Sequence, residues 1–211
     1  QETREILTNE IDWRIKCGAR IIVSTPREDI GASMLIAEDL SPKVNIPVEV
    51  VPMEELEKVL SNSNNGTIVT SRYFLQPLEK VATQNRVRAI AVDLSDFQKE
   101  LKILKELKAG SCVGIVSISP GLLRAAEVII HSMRGNELML MTAISDNNNR
   151  LLSLLKASSH IVCDGPSLSV VESTLLKNRS QLMRLPQIIC AKNYLSIETI
   201  NKLKKEIGVV N

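Results

Sequence analysis

VGIVSISPGLLRAAEVIIHSMRG, residues 113–135, passes from an apolar run through Ser119-Pro120-Gly121 into a long amphipathic segment. That is a buried strand turning into a helix, with three small residues at the junction. Such a junction can cradle a phosphate on the unpaired N–H groups of the helix start. It can equally be a tight turn in which Ser119 caps the helix and Pro120 takes its first position.

The same alternation extends in both directions. Strands are expected at Arg20–Ser24, Val48–Val51, Thr67–Thr70, Val87–Asp93, Cys112–Ser117, Leu138–Ile144, His160–Cys163 and Gln187–Ala191. They read as continuous apolar runs rather than alternating ones, the pattern of strands covered on both faces in mostly parallel sheets. Helices separate them. Ser95 with Gln98 forms a capping box ahead of Phe97, Leu101 and Leu104. Ser196 can cap a last helix whose stripe is Ile200, Leu203 and Ile207, with Gly208 past its end. Residues 1–17 read as a helix stopped by Gly18 and carrying two apolar stripes, Leu7/Ile11/Ile15 and Ile6/Trp13/Cys17.

The expected architecture is α/β with two lobes of mostly parallel sheet. Residues 1–17 form a linker or dimerisation helix, 18–94 with 186–211 one lobe, and 95–185 the other. Eight strands in a single sheet remain the alternative. The chain opens at Gln1 within a helical pattern, so an N-terminal part is expected to precede it.

Composition narrows the functions. With 211 residues and 44% apolar content, the chain can bury a substantial core. Trp13, Tyr73, Phe74, Phe97 and Tyr194 are its only aromatic residues, so the core is aliphatic and a base-stacking platform is excluded. A net charge of +2 with interleaved signs gives no basic face for DNA. Cys17, Cys112, Cys163 and Cys190 form no CxxC pair and read as reduced thiols of a cytoplasmic protein. No apolar run reaches the ~18 residues of a membrane helix, and no signal peptide is visible.

Hydroxyls and small residues recur where strands hand over to helices: Ser24 and Thr25; Thr70 and Ser71; Ser117, Ser119 and Gly121; Ser145; Asp164 and Ser167. In parallel α/β sheets these ends share one edge, where ligands bind. Each junction alone reads as a helix cap; the set reads as a polar cleft suited to an anion. Arg72 and Arg124 lie just inside two of the junctions and can balance a bound anion or pair with a neighbouring carboxylate.

The catalytic search is nearly empty. There is no GxGxxG after the first strand, no P-loop, no HExxH and no GxSxG. His131 and His160 lie apart and read as structural or surface residues, and no cluster has metal-ligand spacing. Neither metal nor cofactor is expected. Trp13 is the only tryptophan and lies on the helix stripe that the parent lobe can least cover. Ile6, Trp13 and Cys17 are therefore read as a partner interface, with internal packing of Trp13 the alternative.

Thr70-Ser-Arg-Tyr-Phe-Leu75, the run from Val87 to Gly135, and Leu185-Pro-Gln-Ile-Ile-Cys-Ala-Lys-Asn-Tyr194 together resemble the C-terminal effector domain of the PlmA-type GntR-family transcription regulators of cyanobacteria. The resemblance implies a winged-helix DNA-binding domain before Gln1 and a periplasmic-binding-protein-like effector domain. It also implies a homodimer and a link to nitrogen regulation through the PII–PipX signalling complex. It assigns no ligand-contact residues; those stand on the strand ends alone. The expected function is sensing a small, anionic metabolite or nucleotide, or a signalling protein, to modulate DNA binding by a domain outside this chain. An enzyme on a doubly wound α/β fold acting on a phosphorylated metabolite, and a transport solute-binding protein, are the alternatives.

Overall fold

A computed structural model describes residues 20–63, 65–94 and 97–208. The helix expected over 1–17, with Ile6, Trp13 and Cys17, lies outside the described residues, as does Ser95 of the expected capping box.

The strands are β1 (Ile21–Val23), β2 (Val48–Val50), β3 (Thr67–Ser71), β4 (Arg88–Val92), β5 (Cys112–Ser117), β6 (Met139–Ile144), β7 (His160–Asp164) and β8 (Gln187–Ala191). Each falls on a stretch read from sequence as a strand. They form two four-stranded sheets, ordered β2-β1-β3-β4 and β6-β5-β7-β8, in which every pairing is parallel. The inner strands β1, β3 and β5 are buried along their whole length, which is why they carry no polar alternation. The helices are α1 (Ile30–Leu40), α2 (Leu56–Asn62), α3 (Leu75–Gln84), α4 (Gln98–Glu106), α5 (Pro120–Arg134), α6 (Asn148–Ala157), α7 (Gly165–Lys177) and α8 (Ile197–Ile207).

The chain divides into two compact units, Gln1–Ser95 with Tyr194–Asn211, and Asp96–Asn193. Each unit borrows a helix that follows the other's last strand. After β4 the chain leaves, and α4 packs Leu101 and Leu104 against Val113 and Ile115 of the second unit. After β8 it returns, and α8 packs Ile200, Leu203 and Ile207 against Ile21, Val23, Val69 and Val92 of the first. Full burial of each such aliphatic side chain contributes about 1.5–3 kcal/mol. Ser196 caps α8, accepting from the Thr199 amide at 3.1 Å, and Gly208 ends it in the left-handed conformation with φ 80°.

The expected return at Leu185-Pro186 is corrected. β8 pairs with β7 from His160↔Gln187 to Asp164↔Ala191, so it belongs to the second sheet and the crossing falls after it. What receives the returning chain is Asp39 of α1, a buried carboxylate. Its Oδ2 accepts from the backbone amides of Tyr194 at 2.9 Å and Leu195 at 2.7 Å, while Oδ1 meets Lys43 Nζ at 2.5 Å.

Candidate strand-end site

In the first unit the strand order turns between β1 and β3, the place where open parallel sheets take ligands. Ser24, Thr25, Thr70 and Ser71 are gathered there, all buried. The Ser24 amide donates to the Val69 carbonyl at 2.9 Å, which fixes the end of β1 beside the end of β3. Thr25 is occupied internally. Its hydroxyl donates to the Asp29 carbonyl at 2.8 Å, so the 2.8 Å contact with Ser33 must be donated by Ser33. Ser24 Oγ and Thr70 Oγ1 differ: both residues are 0% exposed and neither oxygen has a hydrogen-bond partner.

The corresponding turn in the second unit lies between β5 and β7 and is tied together by side-chain bonds to backbone amides. Asp164 Oδ2 accepts from the Ile118 amide at 2.9 Å, and Oδ1 from the Ser167 amide at 2.9 Å. One carboxylate thus caps α7 and holds the end of β5. Ser117 Oγ accepts from the Ser119 amide, and Ser119 Oγ caps α5 by accepting from the Leu122 amide, both at 3.0 Å. The hydroxyl of Ser119 is therefore committed to the cap. Gly121 sits half-buried in the first turn of α5, and the Ser145 amide donates to the Ser117 carbonyl at 3.1 Å. Ser167 Oγ is likewise buried and has no partner among the described residues.

The two arginines part company. Arg72 lays its fork on Asp93, with Nε 2.8 Å from Oδ1 and Nη2 2.6 Å from Oδ2. That bidentate bond holds the Asp93 carboxyl below the usual carboxylate range and raises the guanidinium above its own. Arg124 is exposed and lines a cavity of about 270 Å³ in company with Arg150 of α6. No sequence signal marked Arg150, a polar residue in the first turn of a helix.

His131 is exposed on α5, and His160 rests its Nδ1 3.0 Å from Ser159 Oγ. Since Ser159 donates to the Cys112 carbonyl, Nδ1 carries the proton in that contact. Cys112 and Cys163 are buried free thiols. Burial above all, then Cys190 and Asp164, push the Cys163 thiol up to about 12, leaving it protonated and unreactive at neutral pH. Among the described residues no acidic, His or Cys group is placed to hold a metal, and no helix is long and apolar enough to cross a membrane.

Residues 99–192 match the family model described as cyanobacterial PlmA-type GntR regulator, C-terminal domain. That stretch runs within the second unit, from the start of α4 to just past β8, and is a little under half of the chain. No curated protein matches the sequence. Over those residues the second unit, with its parallel β6-β5-β7-β8 sheet, is similar to the C-terminal domains of the cyanobacterial PlmA-type GntR transcription regulators.

Proposed function

We propose that the chain is the effector-sensing and dimerisation part of a transcription regulator and is not an enzyme. In this reading it takes up a small, anionic metabolite or nucleotide at its strand ends and passes the change to a DNA-binding domain outside this chain. The supporting observation is the pair of fully buried, unpartnered hydroxyls, Ser24 Oγ and Thr70 Oγ1, at the turning point of the first sheet. Each orphan hydroxyl costs about 1–3 kcal/mol, and native structures keep such groups where they have a use. Both oxygens are shut off from solvent, so a ligand can claim them only if neighbouring backbone moves. A ligand that binds one arrangement better than another is what a switch requires.

Dimerisation, coupling to the PII–PipX complex and a cytoplasmic location belong to the same proposal: the first two rest on the sequence resemblance, the choice of Ile6, Trp13 and Cys17 as the interface on the helix stripe, and the location on the unpaired cysteines. A thermal-shift screen of nucleotides and phosphorylated metabolites tests the core of it. A stabilising compound is expected, with its effect lost in Ser24→Ala/Thr70→Val. No stabilising compound, or one whose effect survives the double substitution undiminished, overturns the strand-end reading.

A further inference from the structure

Along the outer edge of the second sheet, three charged side chains share one hollow without pairing. β6 is an edge strand, flanked by α5 and α6. Two cavities, of about 430 and 270 Å³, lie on this edge and share Glu127, Thr142 and Arg150 in their linings. Thr142 organises the place. Its hydroxyl donates to Glu127 Oε1 at 2.8 Å, and its carbonyl accepts from Arg150 Nε at 2.5 Å. Among the described residues, Arg150 is thereby held with no bond to its two Nη groups, and Glu127 with none to Oε2. Arg124 joins them from one turn earlier on α5. Among the described residues, none of the three charges forms an ion pair.

An acid and two guanidiniums within one hollow, with Glu127 and Arg150 tethered to the same threonine yet the charges not neutralising one another, present both an anion receptor and a cation receptor. A plain anion would meet repulsion from Glu127, and a plain cation from the arginines. A small molecule with both charges satisfies all three. We propose that this hollow binds a zwitterionic α-amino acid, with its carboxylate on Arg150 and Arg124 and its ammonium on Glu127. Planar forks match carboxylates bidentately and the bonds are charge-assisted. Leu140 and Met141 give the larger cavity an apolar wall for the side chain. The site is distinct from the strand-end hydroxyls but rests on the same reading of the chain as an effector-sensing module.

The test is a ¹⁵N-detected NMR titration of the whole 211-residue chain with glycine, with larger α-amino acids, and with acetate and methylammonium as half-ligands. An α-amino acid is expected to shift the amides of 123–127 and 140–150 in a saturable way, more tightly than either half-ligand. Arg150→Lys, which keeps the charge and loses the fork, and Arg124→Ala should each weaken that binding about tenfold. Glu127→Gln should weaken the amino acid while leaving acetate unchanged or tighter. Unchanged far-UV circular dichroism and melting temperature in each variant establish that the fold persists. Amino acids that shift nothing on this edge, or that bind no better than acetate, overturn the proposal. Shifts confined to the amides around Ser24 and Thr70 also overturn it while supporting the strand-end effector. Loss of amino-acid binding on this edge in Glu127→Gln with the thermal-shift screen empty keeps this site and removes the strand-end one.

Discussion

At matching places in the two sheets the chain carries different chemistry. The register pairs Val23 with Val69 in the first sheet and Ile115 with Val162 in the second. Counting one residue onward puts Ser24 where the second unit has Val116, and Thr70 where it has Cys163. Val116 and Cys163 belong to an aliphatic cluster with Leu151 and Val171, whereas Ser24 and Thr70 bury hydroxyls that bond to nothing. Two residues onward, Ser71 stands where Asp164 ties two backbone amides together. The first unit could not copy that tie, because the place of Ile118 is taken by Pro26, which has no N–H to donate. Same strand order, then, with an edge tied by a carboxylate and one bare hydroxyl, Ser167 Oγ, in one unit, and an untied edge with two bare hydroxyls in the other. A rigid edge holds a shape; an edge with unmet hydrogen bonds has something to gain from a ligand.

The largest expected effects come from removing the buried carboxylates, since each unit has one that gathers two amides. Asp39→Ala leaves the Tyr194 and Leu195 amides without their acceptor and Lys43 without its partner. A loss of about 3–5 kcal/mol is expected, as for breaking a buried charged network, read from urea unfolding by circular dichroism. Asp164→Ala should cost a comparable amount but act through the ends of β5 and α7. If either variant melts within a degree of the parent, that carboxylate is ornamental and the contrast between the edges loses its second half.

A smaller effect separates the sheets at their middles. Gly114 of β5 corresponds to Ile22 of β1. A Cβ at Gly114 would sit 2.2 Å from Leu154 Cδ2 and 2.8 Å from Ile161 Cδ1, so α6 approaches this sheet more closely than a side chain allows. Leu154 is fully buried and has little room to yield. Gly114→Ala should destabilise by about 1–3 kcal/mol, measured by the same unfolding curves. An alanine accepted without cost would mean that α6 can lift off.

The strand ends themselves give a prediction of opposite sign. If Ser24 and Thr70 are hydroxyls in core positions, Ser24→Ala and Thr70→Val should each stabilise the free protein by about 1 kcal/mol, seen as a raised melting temperature. The reverse change in the second unit, Val116→Thr, should destabilise it. Equal and opposite outcomes sharpen the comparison; a destabilised Thr70→Val would show that the hydroxyl is already satisfied.

How much of this could be read beforehand follows from the range of the forces involved. Strand positions and parallel pairing were legible because burial on both faces writes itself into local runs such as CVGIVS at residues 112–117. The caps at Ser119 and Ser196 were legible because a cap acts over three residues. The owner of β8 was not legible. An apolar run carries no address, and the tie that returns the chain to the first unit, Asp39 to Tyr194, spans 155 positions. At the candidate site, sequence marked the hydroxyls as a set but could not divide those consumed by bonds to the backbone, Thr25 and Ser119, from those left bare, Ser24 and Thr70. It named Arg72, which Asp93 holds, beside Arg124, which forms no ion pair among the described residues, and passed over Arg150.

The smallest expected effect is the pH response of the Arg72–Asp93 pair in the first unit. The hydrogen bond from Arg72 holds the Asp93 carboxyl below its ordinary value near 3.8. A carboxyl depressed in the folded state contributes stability above its unfolded pKa and loses it as pH falls through the folded one. The pair therefore contributes fully at neutral pH, and its contribution declines only below about pH 4. The Asp93 side chain is 46% exposed and that of Arg72 68%, so water and salt screen most of the interaction. Asp93→Asn should leave the melting temperature almost unchanged at pH 7 and reduce its fall between about pH 4 and pH 3. A loss several times larger at pH 7 would show that Asp93 does more than hold Arg72, and would move the bidentate pair from the surface of the first unit into its structural frame.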